Sequence, residues 1–177
     1  MKQDMRISPL ENEDIEELVK LVNSAYRGDS SKKGWTTEAD LLDGIRTDAS
    51  AIHSLISAPG SVILVYKETV IKGCVYLHQQ KAALYLGMLT VAPDQQANGI
   101  GKYLLQAAEG YAREYGCTSI VMTVIDVRTE LIHWYMRHGY KPTGETKPFP
   151  NDPSFGIPRQ PLQFIVLRKE LEVITKD

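Results

Sequence analysis

Apolar positions along this chain follow two rhythms. Ile15, Leu18, Val19, Val22, Ala25 and Tyr26 recur at helical spacing, with Glu11, Glu13 and Asp14 ahead of them, where the helix dipole favours acids. The same spacing returns at Leu104, Leu105, Ala108, Tyr111, Ala112 and Tyr115. It appears again from Arg128 to His138, stopping at Gly139, a residue type suited to the position past a helix end. Two shorter helices are predicted between the first pair. Thr37 with Asp40 is a capping pair for one through Leu41, Leu42 and Ile45; Asp48 caps another through Ile52, Leu55 and Ile56, closed by Pro59-Gly60. The second rhythm is a set of runs rich in Val, Ile and Leu, which predict strands. They cover 62–67, 70–78, 83–91, 119–125 and 162–167, with turns near Glu68-Thr69 and Gln79-Gln80-Lys81, and further short strands are expected at 5–9 and 141–147.

This order describes a mixed α/β domain: strand, one or two helices, three antiparallel strands, helix, strand, helix and two closing strands. The strand at 119–125 follows a helix, so it should pair parallel to 83–91 through a right-handed crossover. No break in composition, repeat or low-complexity segment divides the chain, and residues 1–177 read as one domain. Composition is that of an ordinary soluble protein, 43% hydrophobic and 24% charged. A net charge of −2 carries no signature of nucleic-acid or anionic-membrane binding. No apolar run approaches the roughly 18 residues of a membrane span, and no basic start precedes an apolar segment. Cys74 and Cys117 do not form a close-spaced pair, so they read as buried thiols in a reducing compartment. The expectation is a cytoplasmic protein without a metal.

The chemistry centres on one junction. The apolar run from Ala83 ends at Ala92-Pro93; a polar turn then carries Gln96, Asn98, Gly99 and Gly101, and a helix follows. The first turn of a helix has backbone N–H groups without intrahelical acceptors, and glycines let that backbone approach an anion closely. Spacing separates the phosphate loops. A Walker A loop needs glycine five residues before the glycine of Gly-Lys and Ser or Thr after it; here Gln96 and Tyr103 occupy those positions. A dinucleotide turn needs a third glycine at position 104, which is Leu. Both readings fail.

What remains is Gln96-Ala97-Asn98-Gly99-Ile100-Gly101, a Gln-x-x-Gly-x-Gly turn between strand and helix. It resembles the pyrophosphate-binding signature of the GNAT superfamily, the acyl-CoA-dependent N-acetyltransferases. The order of elements matches that family along nearly the whole chain. In addition, Tyr135 stands four residues before Gly139-Tyr140, as a tyrosine does in the family's late helix. The resemblance implies a GNAT-like fold. That is a central, mostly antiparallel sheet of about seven strands with one parallel splayed pair, flanked by about four helices.

It also implies acetyl transfer from acetyl-CoA to an amine on a small molecule or peptide, with no metal. The pyrophosphate would bind at Gln96, Ala97, Asn98, Gly99, Ile100, Gly101 and Lys102, although Lys102 equally suits a solvated helix start. The pantetheine arm would pair with backbone at Leu89, Thr90 and Val91. A bulge, with which Gly87 is compatible, would splay the strand and aim an N–H at the thioester oxygen. Tyr135 would be the general acid toward the departing thiolate. Two positions depart from the family pattern. Tyr85 stands where many members carry a glutamate base, eleven residues before the signature Gln, which leaves a water chain or Asp126 to serve. Arg128 stands where an asparagine often contacts the CoA arm, and suits phosphate, acceptor or solvent. The acceptor would lie against the loop from Tyr26-Arg27 through Gly34-Trp35 to Thr36, Thr37 and Glu38, and against the loop bearing Phe149, Phe155 and Arg159. Trp35 is either pocket wall or core contact. A homodimer is compatible with the resemblance, as are two other uses of the cleft: a CoA-binding sensor without turnover, and a transferase of a larger acyl group.

Overall fold

One parallel pair of strands, 83–91 and 119–125, sets the geometry of the main sheet, and the two strands pair over only three residues each. The computed structural model describes residues 6–26, 42–43, 46–96, 98–150 and 157–172. Nine strands lie within them: β1 (Ile7–Pro9), β2 (Leu42–Asp43), β3 (Ser61–Lys67), β4 (Ile71–Gln80), β5 (Ala83–Val91), β6 (Ser119–Ile125), β7 (Lys141–Pro148), β8 (Ile157–Pro158) and β9 (Gln163–Glu170). Four helices accompany them: α1 (Ile15–Tyr26), α2 (Ala49–Ser57), α3 (Ile100–Glu114) and α4 (Thr129–Arg137). The main sheet has seven strands in the order β1-β3-β4-β5-β6-β9-β7, and β2 pairs with β8 separately. Only β5 and β6 run parallel in the main sheet.

Helices cover both faces of this sheet, which explains why its central strands are apolar nearly throughout rather than alternating. On one face Leu18 and Val22 of α1 and Ile52 of α2 are fully buried against Ile63, Val65 and Cys74. On the other, Leu104, Leu105 and Ala108 of α3 meet Leu77, Leu84 and Leu86, and Leu131 and Tyr135 of α4 join the same core. Each such side chain contributes about 1.5–3 kcal/mol by leaving water. Gly73 in β4 makes the close seat for α3. A Cβ there would stand 2.9 Å from both Ile100 Cγ2 and the Thr90 carbonyl oxygen.

The splay of β5 from β6 has a local cause. Tyr76 pairs with Gly87 and Cys74 with Thr90, so β5 spends three residues where β4 spends two. The extra residue is a bulge, and Met88 takes a left-handed φ of 50° there. Such a backbone costs about 1–3 kcal/mol in a non-glycine residue. Its carbonyl is held by the Thr90 hydroxyl at 3.0 Å and the Cys74 thiol at 3.7 Å. Beyond Tyr85 pairing with Val121, β5 and β6 part.

Most elements lie where the periodicity puts them, including the α2 cap, where Asp48 accepts from the Ala51 N–H at 2.8 Å. Three details differ. The bulge is at Met88, while Gly87 supplies room instead: a Cβ on it would lie 3.0 Å from the Tyr85 ring. The β4–β5 turn falls at Lys81-Ala82, because Gln79 and Gln80 still pair with Leu84 and Ala83. Leu42, assigned by spacing to a helix, sits in β2 opposite Pro158. Thr36, Thr37, Glu38, Asp40, Leu41 and Ile45 lie outside the described residues, as do Arg27, Gly34, Trp35, Ala97 and Phe155.

Candidate active site

Three structural elements converge where β5 leaves β6. At one end is the start of α3. Gly99 precedes it with φ 78°, a left-handed conformation that glycine adopts without cost, and the first intrahelical bond runs from Tyr103 N–H to Gly99 O at 3.1 Å. The N–H groups of Ile100, Gly101 and Lys102 therefore have no acceptor within the helix. The turn before them is braced from inside: Gln96 Nε2 donates to Val91 O at 3.1 Å, and Asn98 Nδ2 to Gln95 Oε1 at 2.7 Å. Ile100 is buried, whereas Asn98 and Lys102 are exposed. Gly101 is tight for a different reason, since a Cβ there would stand 3.2 Å from the Trp134 indole.

The second element is the β5 edge. The Leu89 carbonyl accepts from the Tyr26 hydroxyl, and the Val91 carbonyl from Gln96. Each carbonyl oxygen keeps a second lone pair. The Thr90 side chain is turned to Met88, as described above. The third element is α4, which Arg128 precedes as the capping residue and which carries Tyr135 two residues before its end. Tyr135 is 5% exposed and packs edge-on against Trp134 and Tyr140, at centroid distances of 5.2 and 5.9 Å. Burial raises its phenol well above the ordinary tyrosine range; nearby Tyr26 adds to the rise and the Arg128 guanidinium opposes it.

A cavity of about 260 Å³ joins the second and third of these elements, β5 and α4. Its wall includes Tyr85, Met88 and Leu89 of β5, Thr123 and Ile125 of β6, and Tyr135. Tyr26, Arg46 and Arg128 close one side, and Phe149 and Phe164 another; those two rings stack with centroids 5.3 Å apart. The Tyr85 hydroxyl lies 3.4 Å from Thr123 Oγ1, bridging the two strands beyond their last backbone pair. No Asp or Glu is in the wall among the described residues. Asp126 stays outside it, with its N–H donating to Gln163 O at 2.9 Å.

Of the residues singled out from sequence, the cavity wall thus gathers Tyr135, Leu89, Arg128, Tyr26, Tyr85 and Phe149. It does not include Asp126 or the helix-start residues, which belong to the α3 junction. Arg46, Thr123 and Phe164 were missed. Arg46 had no motif to mark it. Its position comes from Asn23 of α1, whose Oδ1 accepts the Arg46 and Thr47 N–H groups at 2.7 and 3.0 Å and whose Nδ2 donates to Thr47 O at 2.9 Å. Among the described residues no group of three His, Cys, Asp or Glu is arranged to hold a metal, and no helix is long and apolar enough to cross a membrane. Both cysteines are free and buried.

Residues 15–140 match the Acetyltransferase (GNAT) family. The chain belongs to the GNAT acetyltransferase family. Among curated relatives, an amino-acid acetyltransferase of Ralstonia nicotianae is 33% identical over 79 residues, covering 44% of this chain and 17% of that protein. The chain therefore corresponds to a small part of that relative's length. Among solved structures, smu.2055 from Streptococcus mutans superposes with a TM-score of 0.71 at 19% identity, over 95% of this chain and all of that one. Also similar is yncA from Salmonella typhimurium, determined with its cofactor acetyl-CoA; it has a TM-score of 0.68 at 17% identity and 98% coverage of both chains. At these identities the two structures speak for the GNAT fold, with its splayed parallel pair.

Proposed function

We propose that this protein transfers an acetyl group from acetyl-CoA to a primary amine of a small molecule or peptide, by direct transfer with Tyr135 as general acid. The observation that carries the reading is a buried phenol, Tyr135, in the wall of the cleft that the Met88 bulge opens between β5 and β6. The residues present fit the donor. The first N–H groups of α3 lack acceptors within the helix and suit a pyrophosphate, and on its β6 side β5 has no strand partner at Leu89, Thr90 and Val91, so a pantetheine arm can lie there. Acetyl-CoA supplies the activated thioester carbonyl.

The chain's own groups then have distinct tasks. The α3 N–H groups hold charge, and the bulge orients backbone at Met88 and Leu89. Overall the amine nitrogen gains a bond to the acetyl carbon and loses a proton, the carbon–sulfur bond breaks, and sulfur takes a proton. Tyr135 delivers that last proton. The amino-acid acetyltransferase relative supports a small acceptor. Residues 1–177 are proposed to act as one domain.

Two measurements test this. Calorimetry should detect acetyl-CoA binding, and thiol release should follow addition of an amine panel. Absence of acetyl-CoA binding sinks the proposal. Binding without turnover on any amine points instead to a CoA-binding module.

A further inference from the structure

We infer that the acceptor is a primary amine carrying an aromatic or similarly bulky apolar group, which packs on the stacked rings of Phe149 and Phe164. This rests on the acetyltransferase reading and narrows its substrate class. Along β6, Ile120, Met122 and Val124 lie in the core under α3 and α4, so by alternation Thr123 and Ile125 point to the opposite face of the sheet. Phe164 stands directly across from Ile125 and shares that face. There α1 and α2 bury residues of β3, β4 and β5, such as Ile63, Cys74 and Met88; among the described residues no member of β6 or β9 joins that core. The cavity occupies this part of the face instead, with Thr123, Ile125 and Phe164 in its wall.

The two phenyl rings form the far end of that wall. Phe164 pairs with Lys147 near the end of β7, which brings Phe149, the residue just past the strand, to a centroid distance of 5.3 Å with 30° between the ring planes. Both rings are half-buried, and neither belongs to either hydrophobic core. Packing of the fold therefore leaves part of their apolar surface uncovered, in a concave site where a ligand can cover it. A ring on the acceptor gains from this burial and from edge or offset contact with the pair. Pro150 extends the same apolar end. The donor has the other face: α3, whose start fits phosphates, and α4, which carries Tyr135, both pack there. Its thioester would enter the cavity where β5 and β6 part, which leaves the Phe149–Phe164 end to the acceptor. A volume of about 260 Å³ suits a small amine with one ring rather than a folded partner.

The test compares matched acceptors by thiol release. Phenethylamine and benzylamine are assayed beside ethanolamine and ethylamine, and L-phenylalanine amide beside glycinamide, in wild type, Phe149→Ala and Phe149→Leu. The ring-bearing acceptors should be preferred in kcat/KM by at least about tenfold, mainly through KM, the scale of burying a phenyl group. That ratio should fall toward parity in Phe149→Ala and be partly kept in Phe149→Leu, which retains apolar volume without the ring. Phe149 lies outside both cores, and thermal melts should find both variants folded. Ring-free acceptors acetylated as well as their partners in wild type would overturn the inference while leaving the acetyltransferase reading intact. An unchanged ratio in a folded Phe149→Ala would overturn it too, as would acetyl-CoA binding without acetylation of any ring-bearing amine. Loss of acetyl-CoA binding itself would fall on the proposed function, and the inference would fall with it.

Discussion

Replacing Tyr135 by Phe removes one oxygen from the cavity wall and little else. The ring keeps its edge contacts with Trp134 and Tyr140, so the fold should persist, with Tm lowered by less than about 4 °C. Donor affinity should also persist, because the α3 start and the β5 edge are untouched. The expected loss is in turnover. A hydrogen bond to a charged group is worth about 1.5–3 kcal/mol, which is about 10- to 150-fold, and general acids contribute about 10²–10⁴-fold. kcat should therefore fall at least about tenfold while the Kd of acetyl-CoA stays nearly constant. Burial also fixes the pH signature: the phenol ionises above the ordinary value of about 10, so Tyr135 should produce no alkaline loss of wild-type kcat below about pH 10. Single-turnover thiol release is the suitable assay, since slow product release could mask a chemical defect. An unchanged single-turnover rate in Y135F would remove the catalytic role.

Three further predictions concern the scaffold. Gly73→Ala would force a Cβ to within 2.9 Å of a backbone oxygen and of Ile100, costing about 1–3 kcal/mol. Thermal melts should show Tm lower by about 2–12 °C, and acetyl-CoA titration should show weaker binding, since Ile100 opens α3. Asn23→Ala frees the Arg46–Thr47 backbone at about 1–3 kcal/mol, and steady-state kinetics should show a raised acceptor KM. Cys74 makes stability sensitive to alkali: burial pushes its thiol up to about 12 from an ordinary value of 9.0. The unfolded chain releases that proton first, so the contribution is complete below about pH 9 and is lost as pH rises toward 12, by up to about 4 kcal/mol. Urea midpoints should fall from pH 9 to 10 in wild type and fall less steeply in C74A; equal slopes would contradict it.

The proposed donor half of the site can be read from sequence because its requirements are local. Gly99 and Gly101 announce a bare helix start within six residues, and Tyr135 keeps a fixed distance from Gly139 on one helix. Periodicity likewise found the strands that helices cover on both faces. The acceptor half depends on long-range placement. Arg46 reaches the cavity through a side chain 23 positions earlier, Asn23, and no pattern in its own neighbourhood records that. The bulge illustrates a different limit. Glycine at 87 was a reasonable signal for left-handed backbone, yet the strain falls on Met88, because Thr90 and Cys74 secure its carbonyl and Gly87 is needed under the Tyr85 ring. Leu42 shows a third: a spacing suited to a helix was overridden by pairing with Ile157–Pro158, more than a hundred residues away.

The missing carboxylate on β5 and Arg46 beside Tyr26 belong to one account of how the acceptor loses its proton. Tyr85, where the resemblance expects a glutamate, offers a neutral phenol bridged to Thr123, and the described wall holds no acid. A charged base would in any case pair with Arg46 in so small a space. On the proposed reading, the Arg46 guanidinium in the same wall would act on the amine directly instead. Like charge at roughly 6 Å in an effective dielectric of about 20 is worth about 3 kcal/mol, or about two pKa units against the ammonium form. This favours the neutral amine, which then needs only water to take its proton. The consequence can be measured: the acid limb of kcat/KM should follow the acceptor's own pKa, moving when one amine is exchanged for a less basic one. A limb that stays fixed across acceptors would instead report a base supplied by the protein, and the electrostatic account would have to be abandoned.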